Sequence, residues 1–126
     1  MASVLDSSVI LAIVRGEASE EKALRLSRDA VISTVNVAEV VTKCIEKAYP
    51  VEVALQVIQS AGIMAIDFDY DLAVLAGRLQ GSAPKGVLSL GDRACIATAI
   101  KIGGTAVTAD RVWSTLDLGC KVELIR

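Results

Sequence analysis

Short β-branched runs alternate with helical segments along the whole of this 126-residue chain. Strands are predicted at 2–5, 31–33, 63–66, 105–108 and 121–125. Helices are predicted at 8–15, 19–28, 35–48, 51–60, 70–79, 89–102 and 111–118. Strands that alternate with helices usually form a parallel sheet covered on both faces. The pattern therefore predicts one α/β domain over residues 1–126, with a mostly parallel five-stranded sheet and no linker or repeat.

The composition limits the kinds of partner and compartment. Apolar residues make up 53% of the chain and the mean hydropathy is +0.55, which leaves apolar surface for a homodimer or another hydrophobic partner. The formal charge is −2, so any nucleic acid must be attracted by local cations. The three cysteines have no C-x-x-C spacing, which favours reduced thiols in a cytoplasmic protein. No run fits a signal peptide or a membrane span.

The sequence contains no histidine. This absence excludes Ser-His-Asp and Cys-His nucleophiles, paired-imidazole ribonuclease chemistry and histidine-ligated zinc. Because there is no cysteine cluster either, a catalytic metal would need oxygen ligands, which suits Mg²⁺ or Mn²⁺.

Two aspartates follow predicted strands. Asp6 ends the first strand just before a helix, and Asp110 follows the fourth strand. An aspartate in such a position is also a common helix N-cap. If the fourth strand lies beside the first, however, the two acids flank the point where the winding of the sheet reverses, which is where ligands bind. Neighbouring strands lie about 4.8 Å apart, so the two carboxylates could share a divalent cation.

Asp92 has two interpretations. Ser89 and Asp92 have the spacing of a capping box at the start of the helix 89–102. Asp92 also shares a helical face with the apolar residues Cys95, Ile96 and Ala99. A carboxylate on the buried side of a helix is costly unless it is paired or bound to a metal. Both interpretations stand at this point.

Glu39 is the fourth acid of interest. It lies nearly opposite the apolar stripe of the helix 35–48, with Lys43 four residues on, so periodicity predicts a solvated ion pair. Its position in the second turn after the strand 31–33 nevertheless places it close to the carboxyl edge of the sheet. Another acidic run, Asp67, Asp69 and Asp71, lacks the glycine and glutamate of a calcium loop and is expected to cap the helix 70–79.

Four segments, 5–8, 32–39, 88–99 and 107–113, together resemble the PIN domain, and most closely the VapC-type toxin ribonucleases of bacterial and archaeal toxin–antitoxin pairs. The resemblance implies a single PIN-like domain with strand order 3-2-1-4-5. It also implies four acids around Mg²⁺ or Mn²⁺, which fall at Asp6, Glu39, Asp92 and Asp110, so that it overrules the periodicity of Glu39. Thr108 matches the hydroxyl residue that supports such a site, and Asn36 is expected to help orient it. Arg93 departs from the pattern, where alanine is common.

The resemblance implies a metal-dependent endoribonuclease that acts on RNA, with a cognate antitoxin as its protein partner. Candidate contacts to RNA phosphates are Arg93, Arg111, Lys85 and Arg15. One alternative is a catalytically silent PIN-like module that binds RNA or protein. A second is a receiver-like phosphoacceptor domain with Asp67 as acceptor, although such a site needs an acid pair after the first strand and only Asp6 is there.

Overall fold

The first strand of the chain lies at the centre of the sheet. In the computed structural model, which describes residues 2–126, β1 (Ser3–Leu5) pairs with β2 (Val31–Ser33) on one side and β4 (Thr105–Thr108) on the other. The edges are β3 (Met64–Ile66) and β5 (Lys121–Leu124). All four pairings are parallel and the order is β3-β2-β1-β4-β5, which confirms the prediction. The predicted domain starts at Met1, which lies outside the described residues.

Within residues 2–126, six α-helices and two short 3₁₀ helices connect the strands. The α-helices are α1 (Ser7–Arg15), α2 (Glu20–Ser27), α3 (Thr34–Glu46), α4 (Val51–Ser60), α5 (Tyr70–Arg78) and α6 (Leu90–Ile102). The 3₁₀ helices are Leu79–Ser82 and Arg111–Thr115. The bounds of β2, α4 and β4 match the sequence prediction, and most other ends differ by one or two residues. The helix predicted at 111–118 is shorter, because the backbone is already extended at Leu116.

Two hydrophobic cores lie on opposite faces of the sheet, and β1 contributes to both. Val4 and Leu5 are both fully buried, but their side chains point to opposite faces because side chains alternate along a strand. Leu5 packs in the core beneath α1, α3 and α4, while Val4 packs in the core that contains α5, α6 and the fully buried Trp113. The end of β1 is therefore held firmly from both sides.

The cysteines are free thiols. Cys44 and Cys95 are fully buried, and Cys120 is half-buried. Burial raises the pKa of the Cys95 and Cys120 thiols, which keeps them protonated and unreactive. Within residues 2–126, the helices are too short or too polar for any of them to cross a membrane.

Candidate metal centre

The Asp6 carboxylate lies immediately beyond the carboxyl end of β1 and is 5% exposed. Its position is that of the N-cap of α1, yet its side chain makes no capping hydrogen bond. Instead, the Thr108 hydroxyl donates to Asp6 Oδ2 at 2.9 Å and the Ser8 hydroxyl donates to the same oxygen at 2.8 Å. Asp6 is thus oriented by neighbours from β4 and from the first turn of α1.

Ser8 and Thr108 also link the ends of β1 and β4. The Ala109 N–H donates to Ser8 Oγ at 3.0 Å, and the Asp110 N–H donates to Thr108 Oγ1 at 3.1 Å. Each hydroxyl therefore accepts a hydrogen bond from a backbone N–H of the segment after β4 and donates a hydrogen bond to Asp6. These hydrogen bonds fix the path of the backbone at Ala109 and Asp110, where it leaves β4.

Asp110 lies at the start of the 3₁₀ helix Arg111–Thr115 and is exposed. Its Oδ1 accepts a capping hydrogen bond from the Val112 N–H at 3.0 Å. The sequence allowed either a cap or a site residue, and the geometry is compatible with both, because this hydrogen bond engages only one of the two carboxylate oxygens.

Glu39 is half-buried and lies against the first turn of α6. Its Oε1 accepts a hydrogen bond from Asn36 Nδ2 at 2.9 Å, and the same nitrogen donates to the Gly91 carbonyl at 3.0 Å. A Cβ atom on Gly91 would collide with the Glu39 carboxylate, so the absence of a side chain there makes room for it. Glu39 is therefore turned inward, against the prediction from periodicity and in agreement with the resemblance.

Asn36 is fully buried and connects α3 to α6. Its Nδ2 makes the two hydrogen bonds to Glu39 and Gly91, while its Oδ1 has no partner among residues 2–126. A buried amide with one unsatisfied oxygen is costly. The hydrogen bond from Asn36 Nδ2 nevertheless restrains the Glu39 carboxylate beside Gly91.

Asp92 forms the predicted capping box with Ser89. The Ser89 N–H donates to Asp92 Oδ2 at 2.9 Å, and the Asp92 N–H donates to Ser89 Oγ at 3.1 Å. Its carboxylate is nevertheless close enough to the other acids to be affected by them. The pKa of Asp92 is raised, chiefly by burial and further by the charges of Asp6 and Asp110. The cap and the site interpretation of Asp92 are both compatible with this geometry.

The same electrostatic coupling extends to Asp6. Burial raises the pKa of Asp6, the Ser8 and Thr108 hydroxyls oppose this, and the charge of Glu39 adds to it. The four acids therefore lie around one edge of the sheet and influence one another across elements. None of them forms an ion pair with a lysine or arginine of the described chain.

The side chains do not converge on a single point. Over residues 2–126, no three acids or cysteines are arranged as they stand to surround a metal ion. Each carboxylate is turned toward a local donor, and like charges that lack a counter-ion repel one another. The donor set still fits a hard divalent cation, because it consists of oxygen atoms and includes a buried carboxylate without a compensating charge.

Comparison with known protein families gives one match, the PIN domain, over residues 3–118. The chain belongs to the PIN domain family. A comparison with curated proteins finds no match.

Solved PIN-type structures share this fold over nearly their whole length. A toxin–antitoxin complex from Klebsiella pneumoniae is 17% identical, with a TM-score of 0.75, and 99% of this chain and 98% of that chain are covered. VapC20 from Mycobacterium tuberculosis, a sarcin–ricin loop cleaving toxin, is 20% identical, with a TM-score of 0.74 and coverage of 90% and 94%. VapBC-5 from the same organism is 25% identical, with a TM-score of 0.62 and coverage of 99% and 98%.

The four basic residues proposed as phosphate contacts differ in their surroundings. Arg15 lies 3.6 Å from Glu17 and its guanidinium stacks over the Tyr49 ring at 5.6 Å. Arg111 is exposed beside Asp110, and its Nε donates to the Arg126 carbonyl at 3.4 Å. Lys85 is exposed in the segment between α5 and α6. Arg111 thus lies beside the acids of this PIN domain, whereas Arg15 already has two partners.

Arg93 is used differently from what the sequence suggested. Its Nη1 donates to the Ala76 carbonyl near the end of α5 at 3.1 Å, and its Nε donates to the Leu88 carbonyl at 3.4 Å. The half-buried guanidinium therefore joins α5 to the segment that leads into α6. Two N–H groups of the guanidinium are thus engaged with backbone carbonyls, which gives Arg93 a structural role, and its contact to an RNA phosphate stays a prediction.

Sequence reasoning gave no role to two residues that shape the site, Ser8 and Gly91. The signal for Ser8 was its position two residues after Asp6, within reach of that carboxylate. Gly91 gave no signal of its own, because its role depends on Glu39, which is far away in sequence.

One cavity of this PIN domain lies away from the acids. It has a volume of about 790 Å³ and lies between α2 and α4, where Leu24, Val53 and Val57 contribute to its walls. None of the four acids contributes to this cavity. A cavity of about 450 Å³ does adjoin the acids, with Ser8 and Asp110 in its wall.

Proposed function

We propose that this PIN domain is a divalent-metal-dependent endoribonuclease and the toxin of a toxin–antitoxin pair. The observation that carries the proposal is the buried Asp6 carboxylate, which is oriented by two hydroxyls, has no cationic partner in the described chain and is coupled electrostatically to Glu39 and Asp92. Such an arrangement is costly for a protein that only folds, and it is typical of a catalytic carboxylate site.

In this proposal, Asp6, Asp92 and Asp110 hold Mg²⁺ or Mn²⁺, and Glu39 assists them. When bound, the cation supplies an acidified water and positive charge that offsets the charge of the phosphate. Ser8 and Thr108 hold Asp6 Oδ2 in one orientation, so the carboxylate is already ordered before the cation binds. Asn36 keeps Glu39 against Gly91 and therefore near the same edge.

The chain supports hydrolysis by water rather than attack by the RNA 2′-hydroxyl. The latter reaction in histidine-dependent ribonucleases needs an acid and a base that titrate near neutral pH, and this sequence has no histidine. Hydrolysis by an in-line water leaves a 5′-phosphate and a 3′-hydroxyl. End mapping of the products therefore distinguishes the two reactions.

The test is incubation of the purified protein with total RNA, with and without EDTA, followed by end mapping. The wild-type protein is expected to cut with Mg²⁺ or Mn²⁺ and to be inactive with EDTA. Asp6→Asn should abolish cleavage, while Asp117→Asn, which changes an exposed acid elsewhere in the chain, should not. Full activity of folded Asp6→Asn, or equal activity with EDTA, would refute the proposal.

A catalytically silent PIN-like scaffold is the second candidate. The observation in its favour is that no three acids of the described chain surround a common point as they stand. Calorimetric titration with Mn²⁺ separates the two candidates, since a nuclease of the proposed kind must bind the ion and Asp6→Asn must weaken that binding. A scaffold need not bind it at all.

We propose two protein partners, an antitoxin and a second copy of the chain, both in the cytoplasm. Similar solved structures include toxin–antitoxin complexes, which supports the first. Exposed hydrophobic side chains support the second, among them Tyr70 at 80%, Ile45 at 68% and Met64 at 66%. Co-expression with the product of the neighbouring open reading frame tests the antitoxin, and sedimentation equilibrium tests the dimer.

A further inference from the structure

The cavity of about 450 Å³ beside the acids is lined by Ser8, Ala109, Asp110, Arg111 and Arg126. We propose that it is a phosphate-binding subsite, in which Arg111 and Arg126 hold a backbone phosphate of the RNA next to the one that is cut. This inference rests on the proposed function and extends it, because it assigns a direction in which the RNA strand leaves the acids. Arg126 was not among the basic residues singled out from the sequence.

The two arginines are held in position by their neighbours. Arg126 Nη1 lies 3.1 Å from Glu17 Oε1, and Arg111 Nε donates to the Arg126 carbonyl at 3.4 Å. Glu17 is shared, since Arg15 Nη1 lies 3.6 Å from its other oxygen. The single Glu17 carboxylate is thus paired with two guanidinium groups and cannot neutralise both, while Arg111 adds a third positive charge beside them. The side chain of Arg126 is still 57% exposed, so it has donors available for a ligand.

The charge of the rest of the molecule makes this corner distinctive. The chain carries a formal charge of −2, and four acids lie around the adjoining edge of the sheet. An RNA strand therefore needs a local cationic group to approach these acids. A guanidinium is a planar group with several donors and matches the oxygens of a phosphate. Of the other basic candidates, Arg93 donates to two backbone carbonyls, and neither Arg15 nor Lys85 lies in the wall of this cavity.

Ser8 and Asp110 connect this cavity to the proposed catalytic acids. Ser8 is part of the cavity wall, and its hydroxyl donates a hydrogen bond to the Asp6 carboxylate. Asp110 is also in the wall and would repel a phosphate until its charge is offset. Phosphate binding in the cavity should therefore depend on the divalent cation, and tight binding of RNA should require both the ion and the arginines.

The experiment measures binding of a short fluorescein-labelled single-stranded RNA by anisotropy in the Asp6→Asn background, which prevents cleavage, with Mg²⁺ raised until RNA affinity no longer increases, so that the weakened cation site is filled. Arg111→Gln combined with Arg126→Gln should weaken binding about thirtyfold. The slope of log affinity against log salt should fall by about 0.7, which is the contribution of one phosphate contact on a single strand. The charge-preserving pair Arg111→Lys and Arg126→Lys should retain the slope.

The matched control is Lys101→Gln combined with Lys121→Gln. It removes the same charge at the amino-terminal ends of the strands, opposite the acids, because Lys101 lies near the end of α6 and Lys121 begins β5. Its affinity and salt slope should match those of the parent protein. An unchanged slope in the arginine pair, or an equal loss in the control pair, would overturn the subsite. Those results leave the proposed function intact if the wild-type protein still cuts RNA. Wild-type protein that does not cut RNA would instead overturn the proposed function.

Discussion

The Thr108 hydroxyl donates to Asp6 Oδ2 at 2.9 Å, and it joins two side chains that are 102 positions apart in the sequence. The contact depends on the pairing of β1 with β4, in which Leu5 lies opposite Val107. Because Asp110 N–H donates to the same hydroxyl, Thr108 connects two of the proposed metal ligands. The geometry of the site thus depends on a residue that is not itself an acid.

Thr108→Val should therefore reduce RNA cleavage while the protein stays folded. Valine has nearly the same shape, but it leaves Asp6 Oδ2 with the Ser8 hydroxyl alone and removes the acceptor of the Asp110 N–H. Loss of a group that orients a metal ligand typically reduces activity or metal affinity about 10- to 100-fold. Initial rates on a defined RNA measure the effect. Thr108→Ser keeps the hydroxyl and should retain most activity, and equal losses in the two variants would contradict this role.

Asp6→Asn should stabilise the metal-free protein at neutral pH although it abolishes cleavage. Burial raises the pKa of Asp6 on folding, so the folded protein binds this proton more tightly than the unfolded chain does. The contribution of this proton to the unfolding free energy is fully present below the pKa that Asp6 has in the unfolded chain. It is lost as the pH rises through the pKa that Asp6 has in the folded protein. Asparagine carries no charge, so the variant should gain about 1 kcal/mol at pH 7.

Urea unfolding in EDTA between pH 4 and pH 7 measures this effect. The difference in unfolding free energy between Asp6→Asn and wild type should grow in favour of the variant as the pH rises. Saturating Mn²⁺ should reverse the difference, because only the wild-type protein gains the full free energy of binding. A variant that is less stable than wild type at pH 7 in EDTA would show that the buried carboxylate is not destabilising.

Gly91→Ala should weaken Mn²⁺ binding and cleavage, because the new methyl group would occupy the space of the Glu39 carboxylate. We expect a loss of about tenfold or more in metal affinity, measured by calorimetry. In a Glu39→Ala background the same change should cost nothing further, which a double-mutant cycle tests. Gly77→Ala is the matched control, since a Cβ there meets no atom within 4 Å and should raise helix stability by roughly 0.5–1 kcal/mol. If Gly91→Ala reduces metal affinity as much in the Glu39→Ala background as in the wild-type protein, the steric explanation is wrong.

Arg93→Ala should loosen the segment 79–89 without changing the salt dependence of RNA binding. It removes the hydrogen bonds from the guanidinium to the Ala76 and Leu88 carbonyls, at a cost of about 1–2 kcal/mol in unfolding free energy. Amide hydrogen exchange should become faster in that segment. If Arg93 instead contacts RNA, the slope of affinity against salt would fall in the variant, and that measurement decides between the two roles.

Local patterns in the sequence predicted the alternation of strands and helices in this PIN domain, whereas the order of the strands in the sheet came from the resemblance. The predicted segments 31–33, 51–60 and 105–108 have the observed bounds of β2, α4 and β4. The capping box of Ser89 and Asp92 was also visible from spacing alone, as was the cap that Asp69 provides for α5. These features depend on residues a few positions apart, so short-range rules describe them well.

The parts of the site that periodicity missed depend on contacts between distant elements. Glu39 points away from the apolar stripe of its own helix, but α6 approaches it closely at Gly91, where there is no side chain. Arg93 finds its partner on α5, so a pattern based on charge alone could not reveal its role. The resemblance assigned Glu39 to the proposed site because a family motif reflects such contacts between distant elements, which periodicity within one helix does not.

The central position of β1 has a consequence for synthesis of the protein on the ribosome. β1 leaves the ribosome about a hundred residues before its partner β4, so the nascent chain cannot close the middle of this sheet until β4 has been translated. Asp6 and Asp110 can meet only then. If the protein is the proposed toxin, a ribosome that makes it is not exposed to a competent active site until β4 and Asp110 have emerged.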